Sequence, residues 1–120
     1  MNLKECYMSF GGDYDEVLGR LRREQSVEKF ACKFLSDTNF HLFETSMNNK
    51  DYTEALRAVH TLKGISQNLS FTNLYESSSI VTNALKANDY NKAIDMMSQL
   101  SKDYYQICNA IEEYQRSKEN

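Results

Sequence analysis

Proline is absent from the 120 residues of this chain, and after Gly19 glycine occurs once, at Gly64. Proline removes a backbone donor and clashes with the preceding helical turn, while glycine weakens a helix through backbone entropy. A chain almost free of both over most of its length points to an all-α fold.

Apolar residues recur at intervals of three and four, the spacing that keeps them on one helix face. Residues 1 to 12 show no evident period and end in Gly11-Gly12, so they read as a flexible leader. Asp13 and Glu16 have capping-box spacing ahead of Leu18 and Leu21, which predicts a short helix. Ser26 has the chemistry of an N-cap for a long helix over 27–48. Its stripe is Phe30, Phe34, Phe40, Phe43 and Met47, with polar Asp37 and Thr38 in mid-course. Beyond the polar turn Asn48 to Asp51, a third helix over 52–69 turns Ala55, Leu56, Val59, Leu62, Ser66 and Leu69 inward. Thr72 caps a fourth helix to Lys86, with Leu74, Ser78, Val81 and Leu85 as its stripe. After Asn88-Asp89, the last helix over 90–116 carries Ala93, Met97, Leu100, Tyr104, Ile107, Ile111 and Tyr114. Four amphipathic helices with short connections predict an antiparallel up-down-up-down four-helix bundle over 13–116. The short N-terminal helix would cap one end, and 117–120 would form a polar tail.

The sequence Asp51-Tyr52-Thr53-Glu54-Ala55-Leu56 is echoed by Asp89-Tyr90-Asn91-Lys92-Ala93-Ile94. Helical arrays need about three copies to close a core, so two copies read as similar helix starts. The aspartate suits the positive end of the helix dipole, and the tyrosine fixes the entry angle.

A net charge of -3 argues against nucleic acid as a partner, because phosphate backbones select basic surfaces. Cys6, Cys32 and Cys108 are odd in number and lack metal-site spacing, so reduced thiols without zinc are expected. No apolar run approaches a membrane span and no basic, then apolar, leader opens the chain. A soluble, cytoplasmic protein is the expectation, and one complete bundle predicts a monomer.

The chemistry concentrates at His60. Helical spacing puts His60, Lys63, Gly64 and Gln67 on one face, at i, i+3, i+4 and i+7. A neutral imidazole is nucleophilic near neutral pH without a general base. Lys63 can neutralise incoming anionic charge, and Gly64 leaves the approach to the ring free of a side chain. Taken singly, each residue has a bland reading: a surface histidine, a solvated charge, a packing accommodation. His41, beside Phe40 and Leu42 with no glycine or cation arranged around it, reads as a surface residue. Arg20, Arg22 and Arg23 read first as a solvated helix end, with docking of an acidic partner edge as the lesser alternative.

Together with Asn68-Leu69, the polar turn at Asn49 to Asp51 and Leu74, the His-x-x-Lys-Gly run resembles the histidine phosphotransfer (HPt) domains of bacterial phosphorelays. The resemblance spans Ala58 to Leu74 most closely, with the helical pattern following it from about Asp13 to Glu113. It implies that His60 accepts a phosphoryl group from a receiver-domain aspartate and passes it to another receiver domain. The partners would be the receiver of a hybrid histidine kinase, a response regulator, or both. Magnesium would sit on the partner, leaving this chain without a cofactor or metal of its own. With no P-loop glycine pattern or kinase-type nucleotide motif, the chain would be a phosphocarrier and not a kinase. In such domains a residue of the adjacent helix often orients the histidine. Counting without gaps puts Thr82 near that place, and Gln67 is the alternative from the same helix. Receiver docking would use Phe40 and Phe43, with Arg57 and Lys63 near the rim.

Three departures from the family pattern touch geometry and partner fit. Ser70 stands where glycine commonly ends the histidine helix in a left-handed turn, which predicts a tighter or differently capped turn. Thr82 is shorter than the usual polar residue, and Ile65 replaces the small residue frequent after the glycine. Two rivals follow: a helical docking module for a receiver that carries no phosphate, and the phosphoacceptor domain of a chemotaxis-type histidine kinase.

Overall fold

In the computed structural model, which describes residues 1–119, all regular structure is helical. The elements are α1 (Leu3–Ser9), α2 (Tyr14–Leu21), α3 (Glu24–Lys33), α4 (Asn39–Asn48), α5 (Tyr52–Asn68), α6 (Thr72–Lys86) and α7 (Tyr90–Glu119). The all-α expectation therefore holds. α5 packs between α4 and α6, and α6 packs against α7. Phe40 of α4 stacks on Tyr104 of α7, with centroids 4.2 Å apart and planes 11° apart, which brings these two helices together as well.

The expected flexible leader is instead helical and buried. Leu3, Cys6, Tyr7 and Phe10 are each at most 2% exposed. Their spacing of i, i+3, i+4 and i+7 defines one helix face, and that face lies against the rest of the core. Asn2 and Glu5 close a reciprocal capping box at its start. Tyr7 Oη donates to the Leu69 carbonyl at 2.8 Å, and the Asp13 amide donates to the Ser70 carbonyl at 2.9 Å. α1 is thereby pinned to the far end of α5. At the other terminus α7 continues helical through the first residues of the expected tail, to Glu119, while Asn120 lies outside the described residues.

The single long helix expected over 27–48 is two helices. α3 tightens into a 3₁₀ turn at Phe34–Ser36, and Asp37 leaves the helical region at ψ 138°. The Asp37 carboxylate then accepts from the Asn39 amide at 3.0 Å and from Asn39 Nδ2 at 2.9 Å. A short acidic side chain that captures a backbone donor competes with the helix ladder, and here it restarts the chain as α4. Capping also differs from expectation at two starts. Arg23, not Ser26, precedes α3, and Phe71, not Thr72, precedes α6; neither supplies a side-chain cap.

α4, α5 and α6 end alike. Lys50, Ser70 and Asn88 adopt φ of 57°, 56° and 57°, the left-handed region. After them the amides of Asp51, Phe71 and Asp89 reach back to the carbonyls of Ser46, Ser66 and Ala84 at 2.8, 2.9 and 2.8 Å. This is the Schellman closure, which satisfies carbonyls that a helix end leaves orphaned. Asp51 and Asp89 then cap α5 and α7 by accepting from the amides of Glu54 and Lys92, each at 3.2 Å. Tyr52 and Tyr90, the aromatic members of the two echoed starts, stack with centroids 4.0 Å apart. The echo is thus two copies of one hairpin closure meeting face to face.

Candidate functional site

α5 presents the site as a rigid rod. Ala55, Ala58, Val59, Leu62 and Ser66 are buried along one side, leaving His60, Gly64 and Gln67 exposed on the other and Lys63 half-buried at the edge. Leu56, expected inward, is likewise half-buried. The His60 imidazole makes no hydrogen bond or ion pair among the described residues. A Cβ built at Gly64 would meet no atom within 4 Å, so no neighbouring part of this chain requires a glycine there. Alanine would be the better helix former by about 1 kcal/mol. The open space above Gly64 is the surface beside the imidazole, because residues four apart on a helix are neighbours. Lys63, one turn on from His60, has no ion-pair partner among the described residues.

Neither residue expected to orient His60 does so. Thr82 is fully buried, and its Oγ1 donates to the Ser78 carbonyl at 2.7 Å within α6. That hydroxyl satisfies its own helix and faces the core. Gln67 lies about 10 Å farther along the axis than His60, beyond direct reach. The docking aromatics are also misplaced by the sequence reading. Phe40 and Phe43 are each 1% exposed and belong to the core, because the break at Asp37 re-phases the α4 stripe. Arg57 is exposed as expected and engages Glu54, with Nε 3.1 Å from the carboxylate.

The C-terminal end of α5 is held from outside. Arg20 Nη1 donates to the carbonyls of Gln67 and Asn68 at 3.2 and 2.8 Å and to Ser70 Oγ at 3.0 Å. Ser70 Oγ in turn donates to Glu16 Oε1 at 2.7 Å. A cation on orphan carbonyls also suits the negative end of the helix dipole. Ser70 therefore holds a left-handed turn, its strain offset by hydrogen bonds to α2. Arg20 is thus more than a solvated helix end. Sequence reasoning missed it because its partners are backbone oxygens nearly fifty residues away.

A groove of about 630 Å³ adjoins this end of α5. Leu21, Phe30, Phe34, Ile65 and Leu69 give it a mostly apolar lining, and Arg20 and Lys33 stand among its polar residues. Phe30, read from the sequence as core, is 41% exposed.

The three thiols are held in their protonated form. Burial pushes Cys6 up to about 11 and raises Cys32 and Cys108 as well. Thiolate, not thiol, is the reactive form. Among the described residues no His, Cys, Asp and Glu cluster is arranged to hold a metal ion, and no helix is long and apolar enough to cross a membrane. No protein-family model, curated protein or solved structure matches this chain.

Proposed function

We propose that this protein is a phosphocarrier of the HPt type, an antiparallel four-helix bundle of α3–α4, α5, α6 and α7 that works as a cytoplasmic phosphorelay intermediate. His60 takes a phosphoryl group from a receiver-domain aspartate and yields it to another receiver. The observation that carries this reading is the exposed, unpartnered imidazole beside Lys63 and beside the open surface over Gly64. In the forward step a ring-nitrogen lone pair attacks phosphorus, an N–P bond forms, and the aspartyl O–P bond breaks to free a carboxylate. The other ring N–H then releases its proton to water. Lys63 offsets the charge of the phosphoryl oxygens, and the partner supplies magnesium.

The test is incubation with phosphorylated receiver domains of the host. Acid-labile phosphate on His60 is expected, with none on a His60→Gln variant that keeps the helical circular dichroism of the parent. No transfer from any receiver, or label surviving in His60→Gln, would refute the proposal. A docking module that carries no phosphate is the second reading, favoured by the lack of any side chain that holds the His60 ring in one tautomer; the same assay separates the two.

A further inference from the structure

α2 has little of its own to keep it folded. It is 8 residues long, Val17 is its only buried residue, and Gly19 lies inside it. Helices of fewer than about 12 residues are marginal by themselves, and an internal glycine weakens them further. Arg22, just past its end, holds φ of 74°, a left-handed conformation that strains any residue with a Cβ. Both flanks, in contrast, are fixed. The Asp13 amide is tied to the Ser70 carbonyl at 2.9 Å, and Val27 of α3 is fully buried. The hydrogen bonds from α2 side chains to the end of α5 converge on Gln67, Asn68 and Ser70, and all but that of Glu16 come from Arg20. Toward other elements α2 makes only solvent-exposed pairs among the described residues, Tyr14 with Glu24 and Asp15 with Lys4. Pairs in water contribute little.

We infer that α2 is a strap that opens from the fold as a unit, with Arg20 as its latch, while α1 and α3 to α7 stay folded. Segments with little buried apolar surface and exposed hydrogen bonds open at low free energy, without global unfolding. α1 stays in place because Leu3, Cys6, Tyr7 and Phe10 are buried. Asp13 and Val27 remain as posts, and the strain at Arg22 is released. Val17 enters water, and so do the carbonyls of Gln67 and Asn68 that Arg20 had covered. Arg20 and Leu21 also leave the lining of the groove, so the strap sets how wide that groove is. The inference concerns the fold and stands whether or not His60 carries phosphate.

The experiment is native-state hydrogen exchange on the whole chain, read amide by amide at a series of low denaturant concentrations. Wild type, Arg20→Met and Gly19→Ala are compared, each checked by circular dichroism. In the wild type the amides from Val17 to Arg22 are expected to exchange about a hundredfold or more faster than the core of α5 to α7. Their rates should barely respond to denaturant, because the opening exposes little surface. Arg20→Met should speed exchange in α2 about tenfold, the loss expected for hydrogen bonds from a charged donor. Gly19→Ala should slow it about fivefold, through helix propensity. Amides of α2 that exchange as slowly as the core, with the core's response to denaturant, open only in global unfolding and overturn the inference. Unchanged exchange in a folded Arg20→Met protein overturns the latch. Should Arg20→Met not fold, Gly19→Ala decides, since it removes no contact: exchange in α2 that it leaves unchanged overturns the strap.

Discussion

Gly64 and Gly19 offer a matched pair of perturbations. Both are exposed residues inside helices, and a Cβ added at either meets nothing within 4 Å. Replacement by alanine should therefore stabilise the fold by about 1 kcal/mol at each site, through helix propensity alone. Unfolding entropy of about 2.1 cal/mol/K per residue gives about 0.25 kcal/mol/K for a chain of this size, so each variant should melt about 4 °C higher. The two sites share no contact, so the double variant should gain about 8 °C. Function should separate them. The Gly64→Ala methyl stands beside the His60 ring, and phosphotransfer from a receiver should slow by about tenfold or more, equivalent to about 1.4 kcal/mol on the barrier. Gly19→Ala should transfer at the parental rate. Melting curves and single-turnover transfer measure both quantities. A Gly64→Ala protein that melts lower than the parent would show an intramolecular reason for the glycine. One that transfers at full rate would remove the steric argument for the site.

Three further outcomes are expected. Ser70→Ala keeps the left-handed turn but loses the hydrogen bonds to Glu16 and from Arg20, and should cost about 1–2 kcal/mol in denaturant unfolding. Ser70→Gly loses the same bonds but relieves about 1 kcal/mol of backbone strain, so it should be the milder change; the reverse order would refute the compensation. Phe40→Ala should cost about 3–5 kcal/mol of stability, because the ring is buried and stacked on Tyr104, whereas a docking residue would leave the melting point unchanged. Lys118 and then Tyr114 hold the Glu28 carboxyl below the usual carboxylate range. A depressed folded-state value stabilises the fold above the ordinary carboxylate pKa of about 4.3 and is lost as pH falls through the lowered value. The gap in melting temperature between parent and Glu28→Gln should therefore shrink from about pH 6 to about pH 2, and a constant gap would sink that argument.

Much of this architecture was legible because helix periodicity is local. The closures at Asn48 to Asp51 and Asn88-Asp89 carry polar residues that tolerate a left-handed turn or capture the next amides, and the stripes of α5 to α7 are regular. Leu3, Cys6, Tyr7 and Phe10 show the same period, but one short helix ending in two glycines gives too few turns for the pattern to stand out. The division of 27–48 turned on Asp37, whose side chain competes with the helix only once Asn39 has folded back over it.

That His60, Lys63 and the bare surface over Gly64 lie together was set by the sequence alone, since helical spacing fixes which residues share a face whatever surrounds the helix. What lies across from that face is another matter. That Thr82 turns to its own helix, that Phe40 and Phe43 sink into the core while Phe30 emerges, and that Arg20 reaches the end of α5 were decided by tertiary packing. These facts depend on how helices distant in sequence are rotated against one another, and a repeat of three and four residues leaves that rotation undetermined.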